Sequence, residues 1–297
     1  MRTLTLFLLG LICSWGPALA AAQSIDAGRG ELPLTVPATY NPATPAPLIV
    51  LLHGYGSSGA RQDGYMQFSA LADHYGFLFV APDGRVENGG EQRRFWNASE
   101  ACCNFYGSEE DDAAYVLAII NTVKNQYSVD ANRVYLIGHS NGGFMSYRTA
   151  HEHADVIAAI ASIAGAEATV PRPAPAVPVH VLQIHGTNDG TIDYEGADIR
   201  GNPYPGAVET VERWATYNGC EVSGHQVAML DLEDSLPGLD STVVRYDRGC
   251  RAGGSSELWT IINGPHVPAV SDSFSRNVVD WLMAHPKVRT SDRMAAD

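Results

Sequence analysis

Residues 135–143 read Tyr135-Leu136-Ile137-Gly138-His139-Ser140-Asn141-Gly142-Gly143. An apolar run typical of a buried strand leads directly into the pattern Gly-x-Ser-x-Gly, and a segment of helical composition follows. In a strand–turn–helix of this kind the serine lies on a strained turn, and small residues on both sides relieve the crowding. Its hydroxyl is then lifted above the edge of a sheet, open to a substrate carbonyl. The alternative is a glycine-rich turn in which Ser140 only caps the helix.

Short apolar runs rich in Val, Ile and Leu recur along the chain, each bounded by Gly or Pro. Their hydrophobicity is continuous rather than alternating, which is typical of strands buried on both faces of a parallel sheet. Segments with helical spacing lie between them. The pattern predicts an α/β fold with a mostly parallel, doubly wound sheet in a single domain. The predicted strands are 47–52, 77–81, 134–138, 158–164, 179–184 and 258–262, and the predicted helices are 111–127, 207–218 and 271–284.

A serine hydroxyl is a weak nucleophile and needs an adjacent base that a carboxylate orients. Asp189 follows the predicted strand 179–184, and His266 follows the strand 258–262. Because the carboxyl ends of parallel strands meet at one edge of the sheet, we expect these side chains to converge there with Ser140. The order Ser, Asp, His along the chain is typical of such a site. The sequence therefore predicts Ser140, Asp189 and His266 as a catalytic triad.

Other residues compete for two of these roles. Asp189 could be a turn residue, since Thr187-Asn188-Asp189-Gly190 suits an Asx turn. Asp193 is the nearest alternative acid. His180 and His185 also lie near the predicted sheet, but both precede the acid and break the expected order.

Acyl transfer also requires N–H donors for the oxyanion that develops on the substrate carbonyl. One donor is expected from the backbone of Asn141, directly after the serine. The second is expected from the backbone of Tyr55, in the turn His53-Gly54-Tyr55-Gly56 that follows an early strand. The alternative for that turn is a plain glycine-rich connection.

The first twenty residues have the composition of an export signal. Arg2 supplies a positive charge, residues 4–15 form an apolar run too short for a membrane anchor, and Ala18-Leu19-Ala20 is a small-x-small cleavage site. The mature protein is therefore expected to be secreted, to the extracellular space or the periplasm. The expected segments are a signal peptide at 1–20, a catalytic domain at 21–289 and a flexible tail at 290–297.

The charge of the chain disfavours two classes of partner. The formal net charge is −14 at pH 7, and removal of residues 1–20 takes away one arginine and no acidic residue. A surface of this sign repels phosphate backbones and anionic lipid. Nucleic acid and membrane are therefore not expected as partners.

Four cysteines remain after the signal peptide, Cys102, Cys103, Cys220 and Cys250. An even number in an exported protein indicates disulfides, and four cysteines permit three connectivities. We favour Cys220–Cys250, which leaves Cys102 and Cys103 as a vicinal bridge or a free pair, although the spacing alone does not choose. No histidine lies at zinc-ligand spacing from these cysteines, and no metal site is expected.

Several short stretches, spread over most of residues 45–284, together have the order that is characteristic of one family. They are His53-Gly54-Tyr55-Gly56, Ala81-Pro82-Asp83-Gly84, Trp96-Asn97-Ala98, Cys102-Cys103, Asp111-Asp112, residues 138–143 and His185-Gly186-Thr187-Asn188-Asp189. In these the chain resembles secreted α/β-hydrolase esterases grouped with polyhydroxybutyrate depolymerase catalytic domains and bacterial feruloyl or acetylxylan esterases. The resemblance implies the α/β-hydrolase fold, the triad Ser140, Asp189 and His266, and a disulfide near Cys220 and Cys250.

The chain departs from that family at the histidine loop. The family commonly has glycines before the histidine and Thr-Trp-Pro after it, whereas this chain reads Gly264-Pro265-His266-Val267-Pro268. The tryptophan that would border the substrate pocket is therefore absent.

Together these observations predict a secreted serine carboxylic-ester hydrolase that works through an acyl-enzyme without a cofactor. The expected substrate is an ester, small molecule or oligomer, of the polyhydroxyalkanoate or feruloyl type. An amidase or peptidase with the same triad is the first alternative. The negative net charge disfavours a polyanionic amide polymer as its substrate, unless Arg61, Arg93 and Arg94 cluster at the mouth of the site. A non-catalytic binding protein on a hydrolase scaffold is the second alternative, and the oligomeric state stays open.

Overall fold

The computed structural model describes residues 23–288 of the chain. The predicted signal peptide and the predicted tail lie outside the described residues. The strands are β1 Gln23–Asp26, β2 Glu31–Thr35, β3 Ala46–Leu52, β4 Leu78–Val80, β5 Arg85–Val86, β6 Arg94–Phe95, β7 Val129–His139, β8 Ala159–Ile163, β9 His180–Gly186, β10 Gly196–Ile199, β11 Asn202–Pro205, β12 His225–Leu230, β13 Ser241–Tyr246 and β14 Ser256–Ile261. The helices are α1 Gly59–Met66, α2 Ala72–Tyr75, α3 Asp112–Gln126, α4 Asn141–Glu152, α5 Ala207–Tyr217 and α6 Phe274–Met283, with a 3-10 turn at Ser69–Leu71.

Ten of these strands form one sheet, in the order β1-β2-β4-β3-β7-β8-β9-β14-β13-β12. The six central strands, β4 to β14, are parallel. The two strands at each edge pair in antiparallel fashion. The prediction of a mostly parallel α/β sheet is confirmed, and every predicted strand and helix is present, with bounds shifted by at most five residues, at the start of β7.

The sheet is covered on both faces, which is why its central strands are apolar throughout. Along β3, Leu48, Val50 and Leu52 pack in a core with α3, α4 and α5, whereas Ile49 and Leu51 pack in a second core with α1 and α6. All five side chains are fully buried. Burying one aliphatic side chain of this size contributes about 1.5–3 kcal/mol. The two cores hold the carboxyl ends of β3, β7, β9 and β14 in register at one edge.

The antiparallel edges are features that the apolar runs do not predict. In β2, Leu32 and Leu34 are buried while Glu31 and Pro33 are exposed. This alternation marks an edge strand with one solvated face. It covers too few residues to stand out from a loop, and its pairing with β4 joins distant parts of the chain.

Two disulfides are present in the described part of the chain, Cys102–Cys103 and Cys220–Cys250. Cys220 follows α5, and Cys250 lies in the turn between β13 and β14. The structure therefore forms the pairing that we favoured, and Cys102 and Cys103 form the vicinal bridge rather than a free pair. Among residues 23–288, no helix is both long and apolar enough to cross a bilayer.

Replacing Cys220 and Cys250 together by serine is expected to lower the free energy of unfolding. The bridge joins residues 30 positions apart, and a loop of that size constrains the unfolded chain by about 3–4 kcal/mol in the chain-entropy model. Urea denaturation of the oxidised protein and of the double variant would measure the difference. An unchanged midpoint would contradict the expectation.

Candidate active site

Ser140 occupies the single residue between the end of β7 and the start of α4. Its backbone has φ 54° and ψ −121°, in the left-handed region that non-glycine residues rarely adopt. A Cβ atom on Gly138 would lie 2.1 Å from the carbonyl oxygen of Gly142, and a Cβ on Gly142 would lie 2.1 Å from the carbonyl oxygen of Leu52. The turn therefore forms only because both positions are glycine, as the motif predicts.

Asp189 and His266 converge on this serine from the two strands next in the sheet beyond β8. Asp189 follows β9 and His266 follows β14, and these strands are parallel neighbours. His266 Nε2 lies 3.0 Å from Ser140 Oγ, and His266 Nδ1 lies 2.7 Å from Asp189 Oδ2. The structure thus brings all three predicted residues into one hydrogen-bonded series.

Of the competing residues, Asp193 and His180 lie away from the site, whereas His185 lies 3.2 Å from the Asp189 carboxylate. The Asp193 carboxylate accepts the backbone N–H of Glu195 at 2.9 Å, within its own turn. His180 starts β9, at the opposite end of the strand from the site, and its Nδ1 lies 2.7 Å from Ser255 Oγ. Neither side chain contacts Ser140 or His266 in the described structure.

The Asp189 carboxylate is buried but held by several donors. Its Oδ1 accepts the N–H groups of Thr191 and Ile192, both at 2.8 Å. Burial raises the pKa of Asp189, but hydrogen bonds from His185 and His266 outweigh that effect and leave its pKa well below the usual range. The carboxylate is therefore ionised at neutral pH and can orient the His266 ring.

His139 supports the histidine loop from inside the site, a role that the sequence analysis missed. Its Nε2 donates to the backbone carbonyl of His266 at 3.0 Å. Burial, together with the nearby His266, lowers the pKa of His139 to about 4. His139 is therefore uncharged at neutral pH, and it fixes the loop without placing a cation beside His266. The one sequence feature that could have indicated this role is the position of His139 inside the Gly-x-Ser-x-Gly motif.

The two predicted oxyanion donors lie at the end of β3 and at the start of α4. Within residues 23–288, neither the N–H of Tyr55 nor that of Asn141 donates to a protein acceptor. Tyr55 and Ser140 line the same cleft. This leaves both N–H groups free for a ligand, and their role as oxyanion donors stays a prediction.

The Tyr55 turn is anchored by buried His53. Its Nδ1 donates to the carbonyl of Gly54 at 2.8 Å, and its Nε2 accepts the N–H of Gly84 at 2.9 Å. Burial lowers the pKa of His53, which keeps the ring in this neutral form. The N–H of Gly54 in turn donates to Gln62 Oε1 at 3.1 Å.

Trp96 connects the Tyr55 turn to the nucleophile turn. The Asn141 side chain accepts the Trp96 N–H at 2.7 Å and donates to the Trp96 carbonyl at 2.9 Å. The Trp96 indole N–H donates to the His53 carbonyl at 3.0 Å. Trp96 is fully buried, so it packs beneath the site rather than forming a surface for substrate. The vicinal disulfide belongs to the same loop, with Cys102 Sγ 3.7 Å from Asn141 Nδ2.

Ser140 and His266 open into a cleft of about 250 Å³. Its other lining residues are Gly54, Tyr55, Ser57, Arg61, Gln62, Tyr65, His139 and Val267. The hydroxyl of Tyr55 donates to Glu87 and that of Tyr65 to the Pro268 carbonyl. Burial and the Glu87 contact raise the pKa of Tyr55 to about 12, so this phenol stays protonated. The two tyrosines therefore serve as walls and not as acids or bases.

Of the three arginines named from the sequence, Arg61 alone lines this cleft. Arg93 pairs with Glu91, and Arg94 pairs with Asp83 at 3.0 Å. Arg93 also lies over the ring of the cleft residue Tyr55, at 5.5 Å from the ring centroid. The charges of Arg93 and Arg94 are thus compensated by acidic partners rather than left free beside Arg61. No three His, Cys, Asp or Glu side chains of residues 23–288 group as metal ligands.

Residues 35–236 match a family model described as Phospholipase/Carboxylesterase. Feruloyl esterase D of Neurospora crassa is 27% identical over 299 residues, which cover 91% of this chain and 91% of that protein. Poly(3-hydroxyalkanoate) depolymerase C of Paucimonas lemoignei is 28% identical over 153 residues, which cover 50% of this chain and 34% of that protein.

Among solved structures, an acetyl xylan esterase from Aspergillus awamori superposes with a TM-score of 0.64 at 15% identity. The match covers 89% of this chain and 99% of that one. At this identity the likeness concerns the fold. Together with the sequence relatives, it confirms the resemblance that the motifs predicted.

Gly142→Ala is expected to destabilise the protein by about 1–3 kcal/mol, since the new methyl group meets the β3 backbone. Gly64→Ala is the matched control, because nothing lies within 4 Å of a Cβ placed there. In the interior of α1 that substitution should be neutral or stabilising by up to about 1 kcal/mol. Thermal and urea unfolding of both variants would measure the difference, and equal stabilities would contradict the close approach.

Lowering the pH from about 6.5 to about 4 is expected to destabilise the folded protein in part through His139. The pKa of His139 is depressed in the folded state. The unfolded chain therefore binds more protons over this range, and the free energy of unfolding decreases as the pH is lowered. His139→Gln should reduce the slope of stability against pH. His74→Gln, at an exposed position, should leave the slope unchanged. A slope that His139→Gln does not alter would exclude this contribution.

Proposed function

Because this chain belongs to the phospholipase/carboxylesterase family, we propose that it hydrolyses carboxylic esters with Ser140 as nucleophile, His266 as base and Asp189 as the orienting acid. Family membership establishes the class of enzyme, an ester hydrolase. The roles of the residues and the substrate are the proposal. The observation that carries it is the series of hydrogen bonds from Asp189 through His266 to Ser140.

The reaction begins when Ser140 Oγ attacks the ester carbonyl and its proton passes to His266 Nε2. Asp189 Oδ2 holds the Nδ1–H of the resulting imidazolium. The N–H groups of Asn141 and Tyr55 donate to the oxyanion of the tetrahedral intermediate. His266 then protonates the departing alcohol, which leaves an acyl-enzyme on Ser140. A water molecule, deprotonated by His266, attacks that ester, and collapse of the second intermediate releases the acid and restores the serine.

The cleft favours an ester whose group near the serine is small and largely apolar. Its volume of about 250 Å³ is below the range of about 300–1,000 Å³ typical of drug-sized ligand sites. Tyr55, Tyr65 and Val267 supply aromatic and aliphatic walls. An extended polymer would therefore place only one unit in the cleft and the rest along the surface.

Two substrate types agree with the relatives, feruloyl-type esters and polyhydroxyalkanoate-type oligomers or polyesters. Arg61 distinguishes them, because it lines the cleft and no acidic side chain of residues 23–288 pairs with it. Hydroxyalkanoate oligomers end in a carboxylate, which this guanidinium could bind. This favours oligomers with a free acid end as substrates.

The alternatives have less support. The same geometry would serve an amidase, but the family match favours esters. The pairing of Arg93 and Arg94 with acidic side chains argues against a polyanionic polymer. A binding protein without activity would have no need of three hydrogen-bonded triad residues. Secretion is supported by the two disulfides, which persist in oxidising compartments.

The decisive experiment is product release by the mature chain from 3-hydroxybutyrate oligomers and from methyl ferulate, with amide analogues in parallel. Ser140→Ala should lose turnover by about 10⁴-fold or more, since the nucleophile is removed, and should keep the wild-type circular dichroism spectrum. Arg61→Gln should raise KM for the oligomers more than for methyl ferulate. Full turnover by Ser140→Ala, or cleavage of the amides alone, would defeat the proposal.

A further inference from the structure

A row of buried side chains continues behind Asp189, away from the serine. His185 Nε2 lies 3.2 Å from Asp189 Oδ2 and 2.8 Å from the carbonyl of Ile192. His185 Nδ1 lies 3.0 Å from Gln183 Nε2. Gln183 Oε1 accepts the hydroxyl of Tyr147 at 2.8 Å. The side chains of His185 and Asp189 are 1% and 0% exposed, so water does not compete for these bonds.

The neighbours of His185 determine where its proton lies. Gln183 Nε2 also lies 2.7 Å from the carbonyl of Gly165, which can only accept, so this atom is the amide nitrogen and not the oxygen. The second N–H of that amide then donates to His185 Nδ1, which must be unprotonated. The His185 ring is therefore neutral and carries its hydrogen on Nε2, which faces Asp189 and the carbonyl of Ile192.

From this arrangement we propose that His185 is a positioning residue of the site, which holds Asp189 Oδ2 against His266 through a series that Gln183 and Tyr147 orient. The inference rests on the proposed function, since it assigns a purpose to the geometry of the triad acid. His185 touches neither the substrate cleft nor Ser140. It acts on the reaction only through the Asp189 carboxylate.

Both carboxylate oxygens of Asp189 are thereby restrained. Oδ1 is fixed by the backbone N–H groups of Thr191 and Ile192, and Oδ2 receives the N–H of His266. Oδ2 also lies 3.2 Å from His185 Nε2, whose single N–H is shared with the Ile192 carbonyl at 2.8 Å. The ring of Tyr194 packs edge-on against His185 at 5.7 Å between centroids and restricts its tilt. Because the supporting donor is neutral, the only positive charge that forms against Asp189 during the reaction is that of His266.

Loss of the His185 donor should have two effects. The carboxylate gains rotational freedom, and a small misplacement of His266 can slow the reaction by about tenfold or more. Asp189 also loses a hydrogen bond that shares its negative charge, so it attracts the His266 imidazolium more strongly. The other titratable groups packed nearby, His139, Tyr147 and Tyr194, stay in place.

The test compares His185→Leu, which removes the donor at similar volume, with His185→Gln, whose amide can place an N–H near the position of Nε2. His180→Gln is the control, since His180 lies on the same strand roughly 16 Å away at 3.3 Å per residue. Two readouts apply to the full chain: the rate at which a fluorophosphonate probe labels Ser140, and the pH profile of that rate.

We expect His185→Leu to label about tenfold more slowly, with the acidic limb of its pH profile moved to higher pH. His185→Gln should recover most of the rate, and His180→Gln should match the wild type. A purely structural role would lower stability and leave the pH profile unmoved. Wild-type rate and profile in His185→Leu would overturn the proposal.

Two further outcomes keep the test conclusive. If His185→Leu does not fold, Gln183→Met takes its place, since it frees the His185 ring while retaining it, and an unchanged rate and profile there would also overturn the proposal. If the wild-type chain itself fails to label at Ser140, the proposed function fails. If the wild type labels and hydrolyses esters while the His185 variants behave like it, only this inference fails.

Discussion

The sharp turn at Ser140 is the constraint on which the rest of this structure depends. β7 must end and α4 must begin around one residue with a positive φ, a conformation that costs on the order of 1–3 kcal/mol. The close contacts of Gly138 and Gly142 with neighbouring backbone make the turn possible. Packing on both faces of the sheet maintains it, because β3 and β7 cannot move apart without opening two cores. The turn thereby places the Ser140 hydroxyl and the free N–H of Asn141, at the start of α4, at one edge of the sheet.

The buried histidines that hold the loops around the active site are neutral. Three buried histidines each direct one ring nitrogen to a backbone carbonyl: His53 to Gly54, His139 to His266 and His185 to Ile192. A lysine or arginine in these places would supply a donor but also a fixed charge. Such a charge would compete with His266 for the Asp189 carboxylate and would oppose the formation of imidazolium. Neutral imidazoles hold three loops without that cost.

Substrate specificity depends on the segments around the cleft, which can change in sequence without changing the fold. The cleft is formed by the Tyr55 turn, α1 and the histidine loop, which approach one another only in the folded chain. In the histidine loop, which lacks the tryptophan common in the family, Val267 is more than half exposed at 57%. Relatives with this fold are named for different esters, which agrees with the rule that a fold supports many functions through its loops.

The local pattern of the chain was sufficient to predict the six parallel strands, the nucleophile turn and the residues Ser140, Asp189 and His266. Continuous apolar runs, glycine spacing and strand-end placement are properties of neighbouring residues, so they are visible without a structure. The antiparallel edge strands, the support from His139 and His185 and the link between Trp96 and Asn141 are not. Each depends on a contact between distant segments, whose geometry arises only when the two cores pack and bring the strand ends together.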